Sequence, residues 1–411
     1  MRLPELLRNK DFDLYWTGVI LSEIGTRGTF AANLFHMYTL TNSTLQTGLV
    51  GLFQAIALLF LSPLGGAYAD RMNRQRLLQI TQSLSLLVSL GLALLTLTGA
   101  IRPWQILVSV MLNTAAETFD RPARNSLIPA LVPKKDLVQA FALLNPSREI
   151  AILIGPAAAG FLIAAFGPEG MYFLDVASYA VMIGVLTVLK VPTTPVAKAR
   201  SVSVWSNIKE GFGWMRRRPL ILQLIGLDLS CTLFGAYKVV LPALSTDILD
   251  VGPTGYGLLS AAVSGGALVG SALVFRMART ARSGHIVLWA TAAYGVAAIV
   301  LAQAPIFAIA FLGAAGIGMA DAFHTTIRHA AVQLEVPDEL RGRVTATYQI
   351  ASRGGPALGD MTIGAVAAVL GPVGALSVGG IVPILAAAGV ASKSSRLRSY
   401  QVPQHAQAHK G

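Results

Sequence analysis

The chain has 411 residues, of which 54% are hydrophobic and 13% charged, about half the roughly 25% usual in soluble domains. With a mean hydropathy of +0.61, it has too little polar surface to cover a water-soluble core of this size. The net charge of +12 would suit a nucleic-acid binder, but the Lys and Arg residues sit in short bursts between long apolar runs, which is a membrane-topology pattern; Cys231 is the one cysteine and the six histidines lack ligand spacing, so no disulfide framework, metal site or other cofactor is expected.

The first residues, MRLPELLRNKDFDLYW, are too polar for a removable signal peptide. Apolar segments long enough to cross the bilayer then follow at 12–40, 45–69, 77–99, 104–122, 137–166, 171–189, 219–246, 256–275, 285–303, 305–327, 343–370 and 373–391. Each reaches the about 20 residues that a helix needs to span hydrocarbon. Runs of this length exclude the alternating strands of a barrel, so an all-α membrane protein with twelve transmembrane helices is predicted.

Several spans carry ionisable groups, which are functional candidates by default because they are expensive in lipid. Span 1 holds Glu23 and Arg27, one turn apart and able to pair, with His36 further along. His36 reads equally as a cavity-wall group or a buried histidine. Glu117 lies on span 4, Arg148 and Glu149 on span 5, and Asp228 and Lys238 on span 7. Asp321 and His324 lie on span 10, and Arg353 and Asp360 on span 11. Two readings stay open for these groups: proton coupling, ranked Glu23, Asp228, Glu149, then Asp321 with His324, or structural ion pairing between helices. Asp175 reads as a helix-start acid near the outer surface.

The chain also repeats itself. An offset of 204 aligns Val132-Pro133 with Val336-Pro337, Gly167-Pro168 with Gly371-Pro372, and Arg124 with Arg328. Residues 1–190 and 219–391 therefore read as two copies of one six-helix bundle, in the same orientation, which suits alternating access around a central cavity. Between them, 191–218 reads as a cytoplasmic linker whose Trp205, Ile208, Phe212 and Met215 form the apolar face of a helix lying on the membrane surface. Residues 392–411 form a tail. One set of connections carries 27 Lys and Arg and the other only Arg102, which places both termini in the cytoplasm.

Between spans 2 and 3 the chain reads Gly66-Ala67-Tyr68-Ala69-Asp70-Arg71-Met72-Asn73-Arg74-Gln75-Arg76. This resembles the signature loop of the major facilitator superfamily (MFS), with Asn73 replacing a usual glycine. Phe119-Asp120-Arg121-Pro122-Ala123-Arg124, Leu131-Val132-Pro133 and Val336-Pro337-Asp338-Glu339-Leu340-Arg341-Gly342-Arg343 look like the branch containing enterobactin exporters and macrolide efflux proteins. Gly155, Pro156 and Gly160 are partly similar to a span-5 motif of drug/proton antiporters. The resemblance implies the MFS fold and a gate in which Gly66, Asp70, Arg71, Arg74, Arg76, Asp120 and Arg124 form a charged latch, with Arg71 or Arg74 pairing with Asp120. A plain positive-inside anchor is the alternative reading of that loop.

The expected function is that of a secondary transporter in the inner membrane, not an enzyme. It is read as a proton-coupled exporter of a small amphipathic compound such as a drug, siderophore or secondary metabolite. A lysophospholipid translocase and a non-transporting sensor or scaffold are the alternatives. Expected partners are the small-molecule substrate, protons and membrane lipid, with no nucleic acid, and the chain is expected to act as a monomer. No phosphate-binding Gly-x-x-x-x-Gly-Lys-Ser/Thr loop is present, so direct ATP coupling is unsupported.

Overall fold

A computed structural model describes residues 9–69, 72–189, 204–277, 283–337 and 340–401. Among these residues the regular structure is helical. α1 (Lys10–Thr41) starts where the Asn9 side chain accepts hydrogen bonds from the amides of Asp11 and Phe12. It stops at Asn42, which takes the left-handed conformation at φ 47°. α2 (Thr44–Ala69) and α3 (Arg74–Leu97) follow, the latter capped by the Asn73 side chain. α4 (Pro103–Leu131) opens on a proline, whose missing N–H costs nothing in a first turn.

The repeat seen in the sequence recurs in the backbone. α4 ends on extended Val132 before Pro133, and α11 (Phe307–Glu335) ends on extended Val336 before Pro337. α5 (Leu137–Phe166) turns into α6 (Pro168–Val188) at Gly167, φ 78°. Its counterpart Gly371, φ 71°, divides the long helix α12 (Arg341–Lys393) at the junction expected between spans 11 and 12. Both corners need a positive φ that only glycine adopts cheaply, followed by a proline that starts the next helix.

Span 7 is not the continuous helix predicted. α8 (Pro219–Leu229) loosens into a wider turn over Ser230–Phe234, residues 235–240 are non-helical, and short helical turns resume at Leu241. An opened backbone inside a membrane needs substitute partners. The Tyr294 hydroxyl supplies one, donating to the Gly235 carbonyl at 2.9 Å from α10 (Ser283–Ala302). Pro242 has no amide to leave unsatisfied.

Eight stretches of these helices are by length and apolarity able to cross a membrane, the last of them containing the Gly371 corner. α1 and α4 are not among them, because they carry the polar and charged residues of the site described below.

Contacts divide the chain into two compact units, residues 1–201 with 250–261 and residues 202–249 with 262–411. In the first, α1 packs on α5 and α6, α3 on α4 and α6, and α2 on α4. Its core of Phe12, Tyr15, Val19, Leu78, Leu127 and Leu144 is fully or almost fully buried. The first turns of α9 (Gly252–Met277) count with this unit, and the Tyr256 hydroxyl donates to the Ala31 carbonyl at 2.9 Å.

In the second unit α10 packs on α11 and α12. The linker helix α7 (Val204–Arg216) does not present its whole apolar face to a bilayer. Met215 is buried with Ile221, Val332, Val336 and Val344, Gly211 abuts the Arg343 carbonyl, and Glu210 pairs with Arg343. Phe212 alone of the two described members of that face is exposed, and the side chains of Trp205 and Ile208 lie outside the described residues. Docking on α12 wins because it buries apolar surface and satisfies a carboxylate together.

The segment after α12 docks as well. Ser394 donates to Gln223, the Gly284 amide donates to the Tyr400 carbonyl, and Leu397 is fully buried among Leu220, Leu224, Leu227 and Val287. Burial, with the Glu335 carboxylate nearby, pushes the Tyr400 phenol up to about 12, so it stays neutral throughout the physiological range. Leu397→Ala should cost about 2–4 kcal/mol of stability in the second unit, read as a lowered midpoint of detergent unfolding, with helix content unchanged.

Candidate functional site

The site in the first unit is built on three helices whose polar residues recur at helical spacing. α1 contributes Ser22, Glu23, Thr26 and Arg27; α3 contributes Thr81, Gln82 and Ser85; α4 contributes Asn113, Glu117, Asp120, Arg121 and Arg124. With Tyr179 of α6, all of these except Ser22 and Arg27 line a narrow cleft of about 20 Å³.

The charges form two linked tiers. In the first, Arg27 reaches Glu23 at 3.4 Å and Glu117 at 3.3 Å, and Arg121 reaches the same Glu117 oxygen at 3.3 Å. Arg27 thus ties α1 to α4. These side chains keep between 11% and 40% of their surface open.

The second tier is sealed. Arg124 pairs with Asp120, one turn earlier on α4, and both side chains are under 10% exposed. Thr81 and Gln82 donate to the same Asp120 oxygen at 3.1 and 2.8 Å. Arg124 donates to the Ser22 hydroxyl at 3.0 Å, and Ser22 donates to Gln82 at 3.2 Å, which closes a ring across α1, α3 and α4. The Tyr15 hydroxyl donates to the Arg124 carbonyl at 3.0 Å. Three carboxylates, Glu23, Glu117 and Asp120, balance three guanidiniums, Arg27, Arg121 and Arg124. A neutral lattice of this kind is tolerable inside a membrane where isolated charges are not.

Of the two partners the resemblance implies for Asp120, Arg74 is engaged elsewhere and Arg71 lies outside the described residues. Arg74 donates to the Ser126 carbonyl at 3.0 Å, Arg76 is exposed, and Asp120 belongs to Arg124. An arginine one turn away on the same helix reaches Asp120 without bending a loop inward. Asp70 and Arg71 lie outside the described residues, and Gly66 lies in the last turns of α2.

Other candidates disperse. His36 is buried against α6: Tyr172 donates to Asn33 at 2.9 Å, so the 3.1 Å contact from His36 Nδ1 to the Tyr172 oxygen requires a proton on that nitrogen. Arg148 donates to Asn125 at 3.3 Å and Glu149 is exposed. Gly155 faces the Gly28 amide and the Arg27 side chain, where an added Cβ would sit 2.9 and 2.7 Å from them, so the glycine lets α5 touch α1 beside the charged tier. Pro156 and Gly160 meet the backbone at Gly257.

Asp175 is not a helix-start acid at a surface. It lies fully buried seven residues into α6, accepting from Ser89 of α3 at 2.7 Å.

In the second unit Asp228 of α8 pairs with Arg328 of α11, and His324 Nδ1 lies 3.8 Å from the same Asp228 oxygen. Arg328 also donates to Ser352 at 3.4 Å and sits 5.4 Å over the Tyr348 ring, both on α12. Asp321 accepts from Thr325 at 3.4 Å. Lys238 is exposed within the break of span 7 and acts electrostatically on both Asp321 and buried Asp360. The Arg353 side chain lies outside the described residues.

Sequence reasoning missed Ser22, Thr81, Gln82 and Tyr179. The signal existed, since Thr81, Gln82, Ser85 and Ser89 form a polar stripe at helical spacing on an otherwise apolar helix. Among the described residues no three His, Cys, Asp or Glu side chains cluster as metal ligands would.

The family model described as transmembrane secretion effector matches residues 5–410. Enterobactin exporter EntS of Salmonella typhi is 26% identical over 345 residues, which cover 83% of this chain and 82% of that exporter. EntS of Escherichia coli O81 (strain ED1a) is 25% identical over 345 residues, 83% of this chain and 81% of its own. Among solved structures, the nucleoside transporter NupG superposes with a TM-score of 0.75 at 14% identity, covering 93% of this chain and 98% of NupG. A bacterial homologue of the iron transporter ferroportin gives 0.70 at 15%, covering 92% and 98%. At such identities the structural likeness speaks for fold alone. Whole-length helical likeness and a whole-length family match agree: the chain belongs to the transmembrane secretion effector family of the major facilitator superfamily, and is a multi-pass membrane transporter, not an enzyme.

Proposed function

We propose that the protein exports a small amphipathic organic compound, of the drug, siderophore or secondary-metabolite kind, against an inward flow of protons by alternating access. The observation that carries this reading is the open tier of Glu23, Arg27, Glu117 and Arg121. Its four charged groups are partly open to solvent within otherwise apolar helices, and Glu117 is shared between two arginines, so a proton or a charged cargo group can redistribute the pairs. Similarity to enterobactin exporters over most of the chain supports export as the direction and a siderophore-like cargo.

Both termini face the cytoplasm in this reading, residues 1–190 and 219–391 are the two six-helix bundles, and the Asp70-Arg71 loop with Arg74, Arg76, Asp120 and Arg124 gates the inner side. The protein works as a monomer in the inner membrane, with protons as the coupling ion and lipid as solvent.

The test is transport in proteoliposomes under an imposed pH gradient, with enterobactin as the first probe. Flux should rise with the gradient and collapse when a protonophore dissipates it. Arg27→Gln, which unties α1 from α4, should cut flux at least about tenfold while inserting normally. Flux that ignores the gradient in the unmodified protein would overturn proton antiport.

A further inference from the structure

We propose that His324 is the proton-binding site of this transporter, and that its charge decides whether Asp228 of α8 or the α12 groups hold Arg328. The proposal rests on the proton-coupled reading above and places the coupling in the second unit.

The argument begins with the repeat. The offset of 204 lays Asp120 and Arg124 on His324 and Arg328. In the first unit the arginine is held by an acid of its own helix, one turn away, so the pair survives any movement of α4 against its neighbours. In the second unit that acid is replaced by a histidine, and the arginine is held instead from another helix, by Asp228 of α8. A pair between helices forms or breaks when they move.

His324 is 2% exposed, and neither ring nitrogen has a hydrogen-bond partner among the described residues. Its Nδ1 points at the Asp228 oxygen that Arg328 contacts. One carboxylate therefore serves two potential cations. With His324 neutral, Arg328 takes Asp228 and the group carries no net charge. When the imidazole accepts a proton from water, the group gains one positive charge in a place with little solvent to screen it. Relief comes from giving Asp228 to His324, because Arg328 has other partners already in reach: the Ser352 hydroxyl and the Tyr348 ring face. Arg328 then holds α12, and α8 is held by the histidine.

The remaining titratable neighbours do not take this role. His329 stands edge-on to Tyr348 at 5.2 Å but is exposed, and Asp321 lies about one turn before His324 with Thr325 donating to it. What makes the exchange consequential is position. α8 leads through the wide turn 230–234 into the non-helical stretch 235–240, so the grip on Asp228 is a grip on the segment that leads to the break.

The test uses the full-length chain in lipid nanodiscs with His36, His285, His329, His405 and His409 replaced, so that nitrogen NMR reads His324 alone. Its ring should titrate within the wider histidine range, and Asp228→Asn should move that titration measurably. A ring that does not change protonation between about pH 4 and 9, or that ignores Asp228→Asn, overturns the proposal.

The second arm is transport. His324→Asp gives Arg328 the same-helix acid that Arg124 has, so the chain should fold while enterobactin flux loses about tenfold of its gradient stimulation and keeps energy-independent exchange. Undiminished gradient stimulation in folded His324→Asp would sink the proposal while leaving proton coupling standing. Absence of gradient stimulation in the unmodified protein would instead remove the reading on which the proposal rests.

Discussion

Arg124→Ala should destabilise the first unit by about 3–5 kcal/mol, among the largest single-residue effects in the protein. The guanidinium is nearly fully buried, and its removal leaves Asp120 a buried carboxylate without a counter-charge. Thr81 and Gln82 would still donate to Asp120, which keeps the cost toward the lower end of that range. Ser22 would lose a donor, so the ring joining α1, α3 and α4 would open at two points. The double variant Asp120→Leu/Arg124→Met is the diagnostic partner. It removes the charges together and should recover most of the loss, because apolar groups of similar volume replace a buried pair at little net cost. Equilibrium unfolding in mixed micelles, followed by helix content, measures both. If the double variant is as unstable as the single one, Arg124 acts through packing and not through charge balance.

The contrast between the two units explains what could and could not be read from the residues. The span pattern was legible because lipid enforces it: a helix must be long, apolar and internally hydrogen-bonded, and each of those demands leaves a mark on composition. The repeat was legible because Gly167-Pro168 and Gly371-Pro372 encode a backbone shape, and both glycines adopt it. Charge partners were less so. Glu23 and Arg27 could be matched because they lie one turn apart, and they are. Arg27 with Glu117, or Arg328 with Asp228, depends on how separate helices are rotated and staggered, which no local spacing records. The break in span 7 was hidden for a similar reason. Its sequence, Phe234-Gly235-Ala236-Tyr237-Lys238, holds one glycine and a charge but no proline until Pro242, and the backbone opens there because the Tyr294 hydroxyl, from another helix, donates to the Gly235 carbonyl. Asp175 looked like a surface acid by its place near a helix start, and only the packing of α3 against α6 reveals that Ser89 has enclosed it.

The broken span also yields a large expected effect on transport, at Gly359 of α12. An added Cβ there would run into the Thr232 carbonyl group, 2.8 Å from its carbon, and would lie 3.0 Å from the Leu233 Cα. These are backbone atoms of the widened turn that precedes the break, so no side chain can swing aside to make room. Gly359→Ala should therefore force α12 and the end of α8 apart, at a cost of about 1–3 kcal/mol. Gly389→Ala, beyond the Gly371 corner, is the control, since an added Cβ there meets nothing within 4 Å. It should be neutral or stabilise by up to about 1 kcal/mol, because alanine favours helix. Transport should separate the two more sharply than stability does. The stretch that Gly359 touches connects Asp228 to the non-helical residues 235–240, so a wedge at that point should slow the passage between access states even in the folded fraction. The expected result is a loss of flux in Gly359→Ala larger than the loss of folded protein, measured as turnover per correctly inserted molecule. Equal losses would mean that the contact only holds the fold, and that α8 and α12 do not shift against each other during the cycle.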